Sequence, residues 1–157
     1  MHQPDYIWFP GYTTVHSTPS TFMSKVRREV FDHPFYGDAI SFCKAQGEPS
    51  EELNISEERN GLPQISINGF IFHTSHCGST LLSRMLAQLP GVRVVSETEA
   101  INGLLLSQWM HQLPEEQVLP HLKAIIESYR QPFGDDQFLI FKTTSWNIFH
   151  IELFQKL

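Results

Sequence analysis

Residues 70–82 carry the clearest signal in the 157-residue chain, and they read Phe70-Ile71-Phe72-His73-Thr74-Ser75-His76-Cys77-Gly78-Ser79-Thr80-Leu81-Leu82. The apolar start predicts the end of a buried strand, residues 73–78 predict a loop, and a helical pattern begins at Ser79. The first turn of a helix leaves backbone N–H groups without intrahelical partners and carries partial positive charge. A phosphate can accept those N–H groups, and Gly78 has no Cβ to obstruct its approach. The pattern therefore predicts a phosphate cradle at residues 73–82, with hydroxyl donors from Ser79 and Thr80.

The residues around this loop alternate between strand and helix patterns. Strands are predicted at residues 65–72, with a break or bulge at Gly69, at 92–95 and at 138–141. Helices are predicted at residues 79–89, 98–112 and 114–130, and from a cap at Ser145 to the end of the chain. This order predicts an α/β fold, with a three-layer parallel sheet and helices on both faces.

The first part of the chain lacks this alternation. Residues 1–62 are predicted to form an N-terminal helical or irregular extension, and residues 63–157 the α/β domain. Within the extension, Ser20 is predicted to cap a helix through Phe22, Val26 and Val30, and residues 38–45 to form a second short helix. Leu157 follows a helical pattern with neither a helix-ending signal nor a closing strand, so we expect a C-terminally truncated domain.

Composition narrows the class of protein. Hydrophobic residues make up 41% of the chain and charged residues 18%, which is typical of a globular domain. The formal charge of -6 argues against a wide nucleic-acid surface, which needs clustered Lys and Arg. The two cysteines form no CxxC pair, and no apolar run approaches the roughly 20 residues of a membrane span. We therefore expect a soluble cytoplasmic protein with neither a nucleic-acid nor a membrane partner.

The loop does not match the Walker A motif, because no Gly lies five positions before Gly78 and Ser79 stands where that motif has Lys. It resembles instead the 5'-phosphosulfate-binding loop of sulfotransferases, where an apolar strand leads into a loop of the type basic-Ser-Gly-Ser/Thr-Thr. Here that loop reads His76-Cys77-Gly78-Ser79-Thr80. The resemblance continues at Pro90-Gly91-Val92-Arg93, Ser96-Glu97-Thr98-Glu99 and Phe141-Lys142-Thr143-Thr144, and covers roughly residues 68–157.

The resemblance implies a fold like that of the P-loop-containing nucleoside triphosphate hydrolases. It also implies 3'-phosphoadenosine-5'-phosphosulfate as co-substrate, no metal, and transfer of a sulfuryl group to an acceptor hydroxyl or amine. The donor-binding residues that it implies are His76, Cys77, Gly78, Ser79, Thr80 and Leu81. The family usually has Lys or Arg at the position of His76, and an imidazole carries a charge only when it is protonated.

Three residues are the candidate catalytic groups: Glu97, Lys142 and His76. Ligands of a parallel sheet collect at the carboxyl ends of its strands, where Glu97 and Lys142 are predicted to lie. The resemblance implies that Glu97 is the base, with Glu99 second, and that Lys142 neutralises developing charge. The structural alternatives are an acid at a helix N-terminus and a surface Lys that ends a strand. The polar run 143–145 is predicted to line the same cleft.

Other functions fit parts of the pattern. A kinase-like enzyme on the same scaffold would need a phosphate-binding Lys that the loop lacks. A non-catalytic truncated relative is a further alternative, since the family binds the 3'-phosphate through residues that would follow Leu157. Cys77 beside His76 at a helix start has the chemistry of a nucleophile. The eight histidines show no spacing typical of zinc ligands.

Overall fold

The N-terminal part of the chain forms an antiparallel sheet. The computed structural model describes residues 6–27, 30, 31, 36, 38, 40, 50–53 and 64–157. Strands β1 (Ile7–Thr13), β2 (Thr21–Val26) and β3 (Ser50–Glu52) lie side by side in that order. β2 pairs antiparallel with both neighbours.

The helix predicted over residues 20–30 is therefore wrong at residues 21–26, which form β2. Phe22 and Val26 have helical spacing, but cross-strand contacts decide their conformation. Phe22 stacks on Tyr12 of β1 with ring centroids 5.0 Å apart, which is the kind of pair that stabilises a sheet. Of the second predicted helix, residues 38 and 40 are helical, and the rest of residues 38–45 lies outside the described residues.

The second sheet is parallel, and its strands are those predicted from the apolar runs. They are β4 (Ser66–Ile71), β5 (Val92–Ser96) and β6 (Phe138–Lys142), in the order β4-β6-β5. The register of β4 against β6 shifts between Ile67 and Gly69, which confirms the predicted irregularity at Gly69. The sheet is flanked by helices, so the chain is an α/β protein.

The helices follow their sequence signals closely. They are α1 (Ser79–Leu86), α2 (Glu99–His111) and α3 (Glu115–Tyr129), then a 3-10 helix (Ser145–His150) and α4 (Ile151–Phe154). The Thr98 hydroxyl caps α2 by accepting from the Ala100 N–H at 3.1 Å. The prediction that Ser145 caps the last helix is wrong, because the capping position is Thr144, whose hydroxyl donates instead to Asn102 at 2.9 Å.

One hydrophobic core joins the two sheets. The buried ring of Tyr129 stacks on Phe9 of β1 at 5.7 Å and meets Phe141 of β6 edge-on at 5.6 Å. Its hydroxyl donates to the Pro10 carbonyl at 2.5 Å and bonds the Thr98 hydroxyl at 2.8 Å. The predicted division at residue 62 thus falls between two parts of the chain that share a core.

The orientation of α1 differs from the usual one for an amphipathic helix. The apolar face predicted from Leu81, Leu82, Met85, Leu86 and Leu89 is largely exposed, with Leu81 66% and Met85 61% accessible. The helix buries Ser79 and Ser83 instead. The small serines let α1 lie close to β5, the element that it contacts most. Among the described residues, no helix has the length and apolar character needed to cross a bilayer.

Candidate functional site

The loop between β4 and α1 has the backbone geometry of an anion cradle. Gly78 is the N-cap of α1 and adopts a left-handed conformation with φ 85°, which glycine tolerates without steric cost. No side chain caps the helix. The N–H groups of Ser79, Thr80 and Leu81 are in the first turn, where the helix itself provides no acceptor. Those of Thr80 and Leu81 are therefore available to an anion that approaches over Gly78, whereas that of Ser79 bonds the Cys77 thiol.

A cleft opens beside this helix start. Its volume is ≈ 390 Å³, and it is lined by Ile71, Phe72, His73, Thr74, Cys77, Gly78, Ser79, Leu82 and Ile148. A Cβ added at Gly78 would meet no atom within 4 Å. The space over Gly78 is thus open, as an incoming phosphate requires.

The thiol of Cys77 shows that the loop favours negative charge. Cys77 is exposed, and the hydrogen bond from the Ser79 backbone N–H lowers the pKa of its thiol. A second backbone hydrogen bond, from Thr74, acts in the same direction. When the thiol ionises, the thiolate accepts an N–H at a helix N-terminus, which stabilises negative charge at this place.

Glu97 and Lys142 meet at the carboxyl edge of the parallel sheet. Ser96 pairs with Lys142 across β5 and β6, so the residue after β5 comes next to the end of β6. The Glu97 N–H donates to the Lys142 carbonyl at 2.7 Å, and the Lys142 ammonium forms an ion pair with the Glu97 carboxylate. The Lys142 side chain is 1% exposed and that of Glu97 is 21% exposed. Glu97 also has a positive φ of 51°, which the surrounding contacts must maintain.

His73 is a fourth titratable group of the site. It falls within the predicted cradle, residues 73–82, but was not among the predicted donor-binding or catalytic residues. Its Nε2 lies 2.9 Å from the Thr143 carbonyl oxygen and its Nδ1 3.0 Å from the Thr74 carbonyl oxygen. Nε2 is also 3.9 Å from the Glu97 carboxylate. His73 lies two residues after the end of β4, so its position just beyond a strand was the available signal.

The structure brings together only part of the predicted set. Cys77, Gly78 and Ser79 line the cleft. The other predicted residues lie outside its lining, namely His76, Thr80, Leu81, Glu97 and Lys142. The side chain of His76 is exposed, and Leu81 contributes a backbone N–H rather than its side chain. Glu99 is exposed in the first turn of α2 and does not share the Glu97 ion pair.

The polar run after β6 lies beside the site, but none of residues 143–145 lines the cleft, contrary to the prediction. Thr143 is buried, and both its N–H and its hydroxyl donate to the Ile71 carbonyl at 3.1 Å. The Ser75 hydroxyl donates to the Ser145 hydroxyl at 3.3 Å, which ties the cradle loop to the 3-10 helix. These bonds fix the ends of β4 and β6 relative to each other.

No protein-family model, curated protein or solved structure matches this chain. Its function must therefore be inferred from the cradle loop, the cleft and the Glu97–Lys142 pair.

Proposed function

We propose that this chain is a sulfotransferase-type domain that binds 3'-phosphoadenosine-5'-phosphosulfate and transfers its sulfuryl group to an acceptor hydroxyl or amine. The observation that carries the proposal is the start of α1. A left-handed Gly78 caps a helix whose first N–H groups open onto a cleft, and the Glu97–Lys142 pair lies at the neighbouring strand ends. The strand–loop–helix unit of β4 and α1 also supports a P-loop-like fold as part of this proposal.

The proposed mechanism assigns the 5'-phosphate to the cradle. The N–H groups of the first turn of α1 and the helix dipole would hold its charge. A new bond forms between sulfur and the acceptor oxygen, whose proton passes to the Glu97 carboxylate. The bond from sulfur to the bridging phosphate oxygen breaks, and adenosine 3',5'-bisphosphate leaves with the electron pair. Lys142 would turn its ammonium from Glu97 toward that oxygen and offset the charge that develops there.

Isothermal titration with adenosine 3',5'-bisphosphate tests the donor, with ATP and Mg²⁺ as the control. The sulfotransferase proposal expects binding of the bisphosphate in preference to ATP. A preference for ATP with Mg²⁺ would contradict it and favour the kinase-like alternative.

Gly78→Val tests the cradle itself. A Cβ there would occupy the open space over the helix start and strain the left-handed backbone. We expect bisphosphate affinity to fall by more than roughly tenfold. Gly134→Val is the matched control, because Gly134 also has a positive φ, of 70°, but precedes β6 at the opposite end of the strand. Equal affinities of the two variants would place the binding site elsewhere.

Donor binding without transfer is the second candidate function, and the closed Glu97–Lys142 ion pair favours it. A carboxylate that is already paired is a poor proton acceptor. The two candidates differ in the release of adenosine 3',5'-bisphosphate from the sulfated donor in the presence of a panel of phenolic, alcoholic and amine acceptors. If the domain transfers the sulfuryl group, the wild type should release adenosine 3',5'-bisphosphate. Glu97→Gln should release none and should still bind the bisphosphate with the affinity of the wild type.

A further inference from the structure

The hydrogen-bond geometry of His73 determines which form of its ring fits the site. A carbonyl oxygen only accepts, and carbonyl oxygens face both ring nitrogens, at 2.9 Å from Nε2 and 3.0 Å from Nδ1. A neutral imidazole has one N–H, so it leaves a nitrogen lone pair facing a carbonyl oxygen. The imidazolium has two N–H groups and satisfies both carbonyls. The acceptors for the charged form are therefore already in place.

Given the charges around it, the protonation state of His73 determines whether the cleft has a net positive charge. Glu97, at 3.9 Å from Nε2, is the nearest acid, but its carboxylate is neutralised by the buried Lys142 ammonium. Cys77 lines the same cleft and contributes negative charge when its thiol ionises. With Glu97 and Lys142 offsetting each other, a neutral His73 gives a cleft without net positive charge. A protonated His73 adds one positive charge to the cleft.

We propose that His73 couples anion binding in the cleft to the uptake of a proton. The bound phosphate favours the imidazolium, whose two N–H groups donate to Thr74 and Thr143, and His73 thereby supplies the cation that a Lys or Arg would provide in a loop of this kind. It acts as a positioning and charge-balancing residue, because its N–H groups point at carbonyls rather than at the ligand. The inference rests on the proposed function in taking the anion to be the 5'-phosphate end of the donor.

His76 provides the internal comparison. It lies in the same loop, but its side chain is exposed and outside the lining of the cleft. A charge in water is screened and interacts weakly with a ligand in the cleft, whereas the mostly buried His73 is screened less. The two histidines thus differ in environment while sharing loop and residue type.

Calorimetry in two buffers of different ionisation enthalpy measures the protons taken up on binding. The probes are adenosine 3',5'-bisphosphate and pyrophosphate, at about pH 7.5. We expect uptake of a fraction of one proton by the wild type. His73→Gln should lose the uptake, whereas His76→Gln should keep it. Cys77→Ser should also keep it, which separates His73 from protonation of the thiolate.

His73→Lys is a control that distinguishes the loss of a positive charge in His73→Gln from a folding defect in that variant. A fixed cation at this position should restore affinity and remove the proton uptake that depends on His73. Thermal unfolding of each variant shows whether it is folded.

The outcomes separate this inference from the donor assignment. Binding of the bisphosphate without proton uptake, or with uptake that persists in His73→Gln, overturns the role of His73 and leaves the proposed function standing. If pyrophosphate binds with proton uptake that depends on His73 but the bisphosphate does not bind, the role of His73 is supported and the proposed donor is rejected. If neither probe binds, both the role of His73 and the proposed function are overturned.

Discussion

At the residue scale, the Glu97–Lys142 pair has an asymmetry that matters for stability. Lys142 is almost completely buried, whereas about a fifth of the Glu97 side chain is in contact with solvent. A charge that loses its partner inside a protein costs more than one that loses it near water. Glu97→Gln, which removes the carboxylate from a buried ammonium, should therefore destabilise the fold more than Lys142→Met does.

A double-mutant cycle on this pair measures the coupling. We expect each single substitution to lower the free energy of unfolding by about 2–4 kcal/mol, with the double variant losing less than the sum. The exposed pair Lys156–Glu115, with Nζ 2.7 Å from the carboxylate, is the control and should couple by under about 0.5 kcal/mol. Urea unfolding gives all the values. Equal coupling in the two pairs would mean that burial does not set the strength of the Glu97–Lys142 interaction.

At the scale of elements, α1 presents its apolar side to solvent and its serines to the sheet. Leu81→Glu and Met85→Glu should each change the free energy of unfolding by less than about 0.5 kcal/mol, because both side chains are exposed. Ser83→Glu should destabilise by more than about 2 kcal/mol, because Ser83 is buried and its hydroxyl donates to the Thr80 carbonyl at 2.9 Å. Urea unfolding of the three variants tests this. A large loss at Leu81 or Met85 would show that the apolar face is covered in solution.

The contact between α3 and β2 makes stability depend on pH. His121 is buried, its Nε2 lies 2.8 Å from the Thr21 hydroxyl, and burial lowers its pKa below the ordinary 6.5. The Thr13 hydroxyl donates to Ala100, so the Thr21 hydroxyl donates to Thr13 and accepts from the His121 N–H. Protonation adds a buried charge at His121 without adding a bond to Thr21.

The sign of the pH dependence follows from this lowered pKa. Below about pH 6.5 the unfolded chain binds a proton that the folded chain resists, so stability falls with decreasing pH until the folded pKa is passed. Above about pH 6.5 the contribution of His121 to the free energy of unfolding does not change with pH. The slope is at most about 1.4 kcal/mol per pH unit for each histidine.

Urea unfolding between about pH 5 and 8 measures the slope. His121→Gln should flatten it, whereas His111→Gln, at an exposed position on α2, should leave it unchanged. Part of the slope should remain in His121→Gln, because burial also lowers the pKa of His150. An unchanged slope in His121→Gln would assign the effect to other groups.

The elements that the sequence predicted correctly are those whose signals are local. The strands β5 and β6 are apolar runs bounded by turn residues. Helix α2 has a capping hydroxyl at Thr98, and α3 begins after Pro114 with two acidic residues in its first turn. β2 was mistaken for a helix because its conformation depends on partners in β1 and β3, which helical spacing does not register.

The same distinction applies to the site. Glu97 and Lys142 were predicted together because parallel strands end at one edge of a sheet, and the ion pair confirms that they meet there. The part played by His73 depends on where its ring points. The neighbouring loop has left-handed conformations at His76 and Gly78, and no spacing in the sequence predicts the direction of a side chain in such a loop. The exposure of the α1 leucines likewise depends on packing rather than on pattern.

At the scale of the whole molecule, the two sheets are joined through α2. The Thr13 hydroxyl of β1 donates to the Ala100 carbonyl at 2.7 Å, and the Ser107 hydroxyl donates to the Thr14 carbonyl at 3.1 Å. Gly103 lies between these two bonds, on the face of α2 that meets β1. A Cβ added there would overlap the Thr13 carbonyl group, so the helix approaches the strand more closely than any other residue would permit.

Gly103→Ala tests whether this close approach holds the two sheets together as one folding unit. Helix propensity alone would raise stability by about 1 kcal/mol, whereas the overlap with Thr13 should cost more, giving a net loss of about 2 kcal/mol. The sign of the change therefore separates the two effects without a further control variant. Because the core is shared, far-ultraviolet circular dichroism and tryptophan fluorescence should report one coincident urea transition in both proteins. A gain in stability would mean that the α2–β1 contact is looser in solution, and two separate transitions would mean that the antiparallel sheet and the α/β part unfold independently.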